Sequence, residues 1–202
     1  MDLLILGKPN VGKTLFMINL AAYLGLREIQ LDVEDAEGRN RSQRLGLERA
    51  RRELVSIRAP KTLVVQSVGL EASLGRQRVR LVVVDTPGIS EGIPAETHVR
   101  HQVALTLERL MSAALVFHVV DASAVGMRRV EAPGAFDWAL MELGRNMAAA
   151  YLVVANKMDK PGSQEGLRQL KDRARGIALI GVSAVTRRGF RDVKSWMMRT
   201  LA

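Results

Sequence analysis

The apolar run Leu3-Leu4-Ile5-Leu6 passes directly into Gly7-Lys8-Pro9-Asn10-Val11-Gly12-Lys13-Thr14, and then into a segment with helical apolar spacing. A strand, a glycine-bearing loop and a helix in that order constrain this fold more than any other feature of the chain. The glycines let the backbone curl so that consecutive amides point inward, and the following helix turns its partly positive N-terminus on the same anion. A loop of this spacing holds a nucleotide triphosphate, which makes Asn10, Val11, Gly12, Lys13, Thr14 and Leu15 candidate nucleotide-binding residues. Lys13 reaches the outer phosphates and Thr14 a magnesium ion, and both are candidates for the catalytic set.

Three more motifs follow apolar runs. Asn156-Lys157-Met158-Asp159 comes after Tyr151 to Ala155, and it selects guanine over adenine. A carboxylate such as Asp159 accepts from guanine's ring N–H and 2-amino group, whereas adenine offers neither donor and leaves the carboxylate unpaired. Lys157 lays its stem along base and ribose, and Asn156 ties this loop to the phosphate loop. Ser183-Ala184, after Ile177 to Val182, can give a backbone amide to the guanine carbonyl, or is simply a loop between strand and helix. Asp85-Thr86-Pro87-Gly88 follows Leu81 to Val84. There Asp85 is placed to hold magnesium through water and Gly88 to bring its amide to the terminal phosphate, against the plainer reading of an ordinary turn.

In this order the motifs resemble those of the translation-factor-class small GTPases, and within them the Era-like and TrmE-like bacterial branch, whose phosphate loop reads Gly-x-Pro-Asn-x-Gly-Lys. The resemblance runs from Leu3 to about Leu201. It implies GTP and GDP as ligands, GTP hydrolysis as a molecular switch, and a slow intrinsic rate. Ile89 stands where Ras-like relatives carry a water-orienting glutamine, and isoleucine cannot hydrogen-bond water. The alternative is a guanine-nucleotide-binding module with negligible turnover. Asn10 holds the loop position that in several members of the branch coordinates potassium; it could equally close the loop by a local hydrogen bond. Some potassium-dependent relatives also dimerise across the nucleotide site. The resemblance calls for a first-switch threonine on magnesium, and Thr62, with Ser67 as rival, is the candidate; Thr62 equally suits the start of a strand.

Alternation of strand and helix predicts a P-loop three-layer sandwich: a six-stranded, mostly parallel sheet with one antiparallel strand, flanked by helices. The 202 residues suit a single G domain over 1–202. Its unusual part is an enlarged first switch at about 27–60, where Ile29, Leu31 and Val33 alternate as a strand and Leu47, Ala50, Leu54 and Ile57 recur at helical spacing. Arg39, Arg41 and Arg44 precede that helix, and Arg49, Arg51, Arg52 and Arg58 lie on it. They form a solvated face or an RNA- or ribosome-contacting surface, in a chain whose formal charge is +9. That charge fits a polyanionic partner, or genome composition and heat adaptation.

The chain has no cysteine, so disulfides and cysteine-held metals are excluded. No segment approaches the roughly 20 apolar residues of a membrane span, and a cytoplasmic protein is expected. The iron transporter's cytosolic domain has a similar loop, but a transporter also needs membrane segments. His98, His101 and Glu96 form a weak metal-ligand face, and His118 reads as a hydrogen-bonded core residue.

Overall fold

The computed structural model describes residues 2–34, 40–56, 66–74, 77–84, 107–129, 133–147 and 149–201. In chain order these are β1 (Asp2–Leu6), α1 (Lys13–Tyr23), β2 (Glu28–Glu34), β3 (Asn40–Gly46), α2 (Leu47–Ser56), β4 (Gln66–Leu74) and β5 (Gln77–Val84). Next come α3 (described over 107–112), β6 (Leu115–Asp121), α4 (Ala122–Gly126), α5 (Ala135–Asn146), β7 (Ala150–Asn156), α6 (Ser163–Arg173), β8 (Ala178–Gly181) and α7 (Phe190–Thr200). They build one sheet in the order β3-β2-β4-β5-β1-β6-β7-β8.

β5, β1, β6, β7 and β8 run parallel, so their C-terminal ends share one edge of the sheet, with β1 between β5 and β6. Parallel strands buried on both faces need near-continuous apolar sequence, and Leu3 to Leu6 and Leu115 to Val119 are buried throughout. Alternate residues feed two cores. On one face Leu3, Ile5, Phe117 and Val154 pack with Phe16 and Leu20 of α1 and with Phe190, Val193 and Met197 of α7. On the other Leu4, Leu6, Val116 and Val153 pack with Leu140 and Met141 of α5 and Leu170 of α6. This is the three-layer α/β arrangement expected from the alternation.

The sheet has eight strands among the described residues, not six, and two of them, β3 and β4, run antiparallel to the others instead of one. The additional strands come from the insert. β2 pairs with β4 on one side and with β3 on the other, from Glu28↔Gly46 to Glu34↔Asn40. β3 reads Asn-Arg-Ser-Gln-Arg-Leu-Gly and has no apolar alternation to announce it. It is held by its ladder to β2 at the end of the sheet, where charged residues are tolerated. Arg41 and Arg44, which precede the helix, therefore belong to a strand.

From the insert, Ile29, Leu45, Leu47 and Ala50 enter the core beside α1. Of the helically spaced Leu15, Ile18 and Ala22 of α1, Ile18 is buried and the other two are half-buried, while Phe16, Met17, Leu20 and Ala21 are buried as well. The inward face of α5 is likewise rotated. Asp137, Leu140, Met141 and Gly144 are buried, while Leu143, which shares helical spacing with Phe136, Leu140 and Met147, is exposed. Beyond β6, α4 and α6 cross so closely that a Cβ at Gly126 would lie 1.9 Å from the Gly162 carbonyl oxygen, and one at Gly166 only 1.8 Å from that of Ala122. This contact fixes the loops after β6 and β7 relative to each other.

Candidate nucleotide-binding site

The phosphate loop leaves β1 at Gly7, whose φ is +143° and where a Cβ would sit 2.2 Å from the Val119 carbonyl oxygen. Only glycine allows that approach. Asn10 at φ 62° and Gly12 at φ 95° turn the chain back into α1, where Gly12 accepts from the Phe16 amide at 2.9 Å. Lys13 is almost fully buried, and its Nζ donates to the carbonyls of Gly7 at 2.7 Å and Lys8 at 2.8 Å. Thr14 and Leu15 are half-buried in the first turn of α1, and Asn10 is exposed.

The loop after β7 is tied to this one. Asn156, 1% exposed, donates from Nδ2 to the Val11 carbonyl at 2.8 Å and accepts on Oδ1 from the Ala184 amide at 2.9 Å. One side chain thus joins three loops that are far apart in sequence. Gly12 makes room for it, because a Cβ there would lie 2.5 Å from Asn156 Nδ2. Asp159 is exposed and accepts on Oδ1 from the Ser183 hydroxyl at 2.6 Å, and the same hydroxyl accepts from the Thr186 amide. The Ser183 and Ala184 amides, proposed from the sequence as donors to a base, both have internal acceptors: the Arg188 carbonyl and Asn156 Oδ1. The next amide, of Val185, meets no acceptor among the described residues.

The sequence reading missed three supporting groups. Asp121 ends β6, caps α4 through the amides of Ser123 and Ala124, and accepts from Lys157 Nζ at 2.5 Å. Burial pushes the Asp121 carboxyl up, but the bonds from Lys157, Ser123 and Ala124 outweigh it and hold the group below its ordinary value. An aspartate closing an apolar run before Ala-Ser-Ala is a helix-start signal and could have been read as one. Asn19, buried within α1, donates to the Ala184 carbonyl at 2.6 Å.

The third group is Asp137, whose Oδ2 lies 3.4 Å from Lys8 Nζ and accepts from the Gly134 amide at 3.1 Å. Its Oδ1 is 3.0 Å from His118 Nε2, and His118 Nδ1 is 2.8 Å from the Tyr151 hydroxyl. His118 is therefore the hydrogen-bonded core residue its strand setting suggested. Burial raises the Asp137 carboxyl, but the His118 bond and charge, the Lys8 charge and the Gly134 amide prevail and lower it. Burial and the Asp137 charge push the Tyr151 phenol upward.

A carboxylate depressed in the folded state stabilises above its unfolded pKa, about 3.9, and loses that contribution as pH falls through the folded value. Asp137→Asn is expected to cost roughly 1.5–3 kcal/mol at neutral pH and to flatten the acid limb of the melting curve below about pH 4. Thermal melts of both proteins across pH check this; parallel curves would refute it.

Asp85, Gly88, Ile89 and Thr62 lie outside the described residues, as do His98, His101 and Glu96. β5 ends at Val84 on the same edge as β1. Among the described residues no cluster of three or more His, Asp or Glu suits a metal, and no helix is long and apolar enough to cross a membrane.

Over residues 2–157 the sequence matches the family described as 50S ribosome-binding GTPase. It is 30% identical over 156 residues to GTPase Obg of Ruminiclostridium cellulolyticum, covering 73% of this chain and 36% of that one. To GTPase Obg of Listeria innocua it is 32% identical over 136 residues, covering 65% and 30%. The chain thus spans about a third of the length of these relatives. Among solved structures, the cytosolic domain of L. pneumophila FeoB aligns with TM-score 0.61 at 17% identity, over 99% of this chain and 70% of that one. A probable GTP-binding protein engB aligns with TM-score 0.57 at 15% identity, over 99% and 98%. At such identities the likeness is one of fold, and the sequence matches support the wider family, not one branch of it. With a phosphate loop, a base loop and the asparagine that joins them on one edge of a P-loop sheet, the chain belongs to the 50S ribosome-binding GTPase family.

Proposed function

We propose that this G domain binds GTP and hydrolyses it to GDP and phosphate, acting as a switch whose two states present different surfaces to a partner. The observation that carries the reading is Asn156, which braces the phosphate loop at Val11 and the Ser183-Ala184 loop in one pocket, with the Asp159 carboxylate exposed at its rim. Lys13 and the amides from Asn10 to Leu15 hold the phosphates, and Asp159 takes guanine's two donors. Thr14, with Asp85 through water, would hold magnesium, which when bound neutralises charge on the phosphate oxygens. A hydroxyl in the first turn of α1 suits that hard cation. Gly88 would bring its amide to the terminal phosphate, and Thr62 is the candidate first-switch ligand. A cytoplasmic site of action follows, since such a switch draws on the cell's GTP pool. Calorimetry with GTP and ATP tests the pocket; equal affinities would overturn it.

Ile89 supports a second reading, a nucleotide-binding module without turnover, because no side chain at that position can orient water. Potassium at Asn10 would supply the missing positive charge. We infer this, and with it a place in the Era-like and TrmE-like branch, from the Gly-x-Pro-Asn-x-Gly-Lys loop. Asn10 is exposed and makes no side-chain hydrogen bond among the described residues, so local loop closure does not occupy it. Phosphate release is expected to be about tenfold or more faster in potassium than in sodium. Equal rates would remove potassium from the account. Sizing the protein with a transition-state mimic in potassium tests whether two copies then meet across the nucleotide.

The insert supports a partner of opposite charge. Arg44 on β3 and Arg49 and Arg52 on α2 are exposed, and the family's description is ribosome-binding. We infer RNA or ribosome contact through the Arg39–Arg58 region. Affinity for RNA is expected to fall steeply with salt, by about one log unit per log unit of salt for each phosphate neutralised. No RNA binding at low salt in either nucleotide state would end this proposal.

A further inference from the structure

The insert helix α2 reaches the base loop through two side chains. Arg51 of α2 donates from one guanidinium nitrogen to Asn19 Oδ1 of α1, and from the other to Glu48 at 3.0 Å. Asn19 then donates from Nδ2 to the Ala184 carbonyl at 2.6 Å. Both backbone groups of Ala184 are held, its amide donating to Asn156 and its carbonyl accepting from Asn19. The Asn19 amide has one workable orientation here, because guanidinium only donates and a carbonyl only accepts.

This arrangement has no need to exist for packing alone. Asparagine is a poor residue for a helix interior, and at 3% exposure its amide must be fully partnered or carry the desolvation cost. Without Arg51 the Asn19 oxygen would be a buried acceptor with no donor among the described residues. Arg51 in turn keeps its Nε buried with no acceptor among those residues, so its pose answers to Asn19 and Glu48. Leu47 and Ala50, buried beside α1, fix the helix that delivers it.

We propose that Arg51 and Asn19 are positioning residues for base recognition: through them the insert holds the Ser183-Ala184 turn so that the next amide, of Val185, which has no acceptor among the described residues, meets guanine's carbonyl edge. The proposal rests on the guanine pocket described above. It makes α2 a lever on nucleotide release, because any partner that displaces the helix withdraws Arg51 and frees the Ala184 carbonyl.

The test is the dissociation rate of a ribose-labelled GDP, compared with that of the matching 6-thioguanine nucleotide, which keeps the ring N–H and 2-amino donors but carries sulfur, a weak acceptor, in place of the carbonyl oxygen. Arg51→Met and Asn19→Ala should each speed GDP release by about tenfold and leave release of the 6-thioguanine nucleotide nearly unchanged. The double variant should be no faster than Asn19→Ala, and Arg51→Lys should recover much of the loss. Asn19→Asp keeps an acceptor for Arg51 but loses the donor to Ala184, and should release GDP as fast as Asn19→Ala. Unchanged GDP release in Arg51→Met, or equal acceleration of both nucleotides, overturns the proposal. A wild-type protein with no preference for GDP over ADP overturns the pocket and this inference together; an intact preference with unaltered release in the variants overturns this inference alone.

Discussion

Asp159→Asn is expected to lower GTP affinity by about a hundredfold or more and to turn the pocket toward xanthine nucleotides. Asp159 is exposed at the rim and oriented by the Ser183 hydroxyl at 2.6 Å, so its carboxylate is fixed by a neighbouring loop before any base arrives. A carboxylate only accepts, which suits guanine's ring N–H and amino group. An asparagine amide sets a donor against one of those donors and leaves both groups unpaired. Xanthine carries a carbonyl where guanine has its amine, and that carbonyl can take the new donor. Calorimetric titration of both proteins with GTP, XTP and ATP reads the exchange. If the variant binds GTP as the parent does, Asp159 does not meet the base.

Lys13→Ala is expected to reduce phosphate release by about two to three orders of magnitude and to weaken GTP more than GDP. The Lys13 ammonium is nearly buried and rests on the Gly7 and Lys8 carbonyls within the loop. On the proposed function, a charge held there would face the outer phosphate oxygens, where negative charge grows as the γ-phosphate leaves. Alanine favours the helix at least as well as lysine, so the fold is expected to survive, and a thermal melt establishes that. Turnover equal to that of the parent would show that the loop does not serve hydrolysis. Turnover absent from both proteins, with GTP still bound, would favour the binding module.

Several parts of this architecture could be read before any fold was known because they depend on neighbours in sequence. Gly7 and Gly12 sit at positive φ in the loop their spacing announced, and Phe190, Val193 and Met197, three and four residues apart as on one helix face, are the buried stripe of α7. Other parts depend on partners brought together only by folding. β3 is polar and is specified by its ladder to β2, so its sequence gave no period to find. Asp137 occupies an inward position of α5 that an apolar pattern assigns to hydrophobes, because His118, Lys8 and the Gly134 amide are there to satisfy it. The Ser183 and Ala184 amides, available on paper, are already committed to Arg188 and Asn156.

Sequence alone placed the chain among the bacterial small GTPases and marked the Gly7–Thr14 loop and the Asn156–Asp159 run, since each is a short stretch of backbone conformation and side-chain chemistry fixed by local spacing. Tertiary structure alone decided how these runs are tied together at one edge of the sheet. Asn156 links Val11 to Ala184, Lys157 rests on Asp121, and Asn19 reaches from α1 to the base loop with Arg51 behind it. A hydrogen bond between residues 145 apart, such as that from Asn156 to Val11, leaves no periodic trace in the chain. It exists because parallel strands bring their C-terminal ends to a common edge.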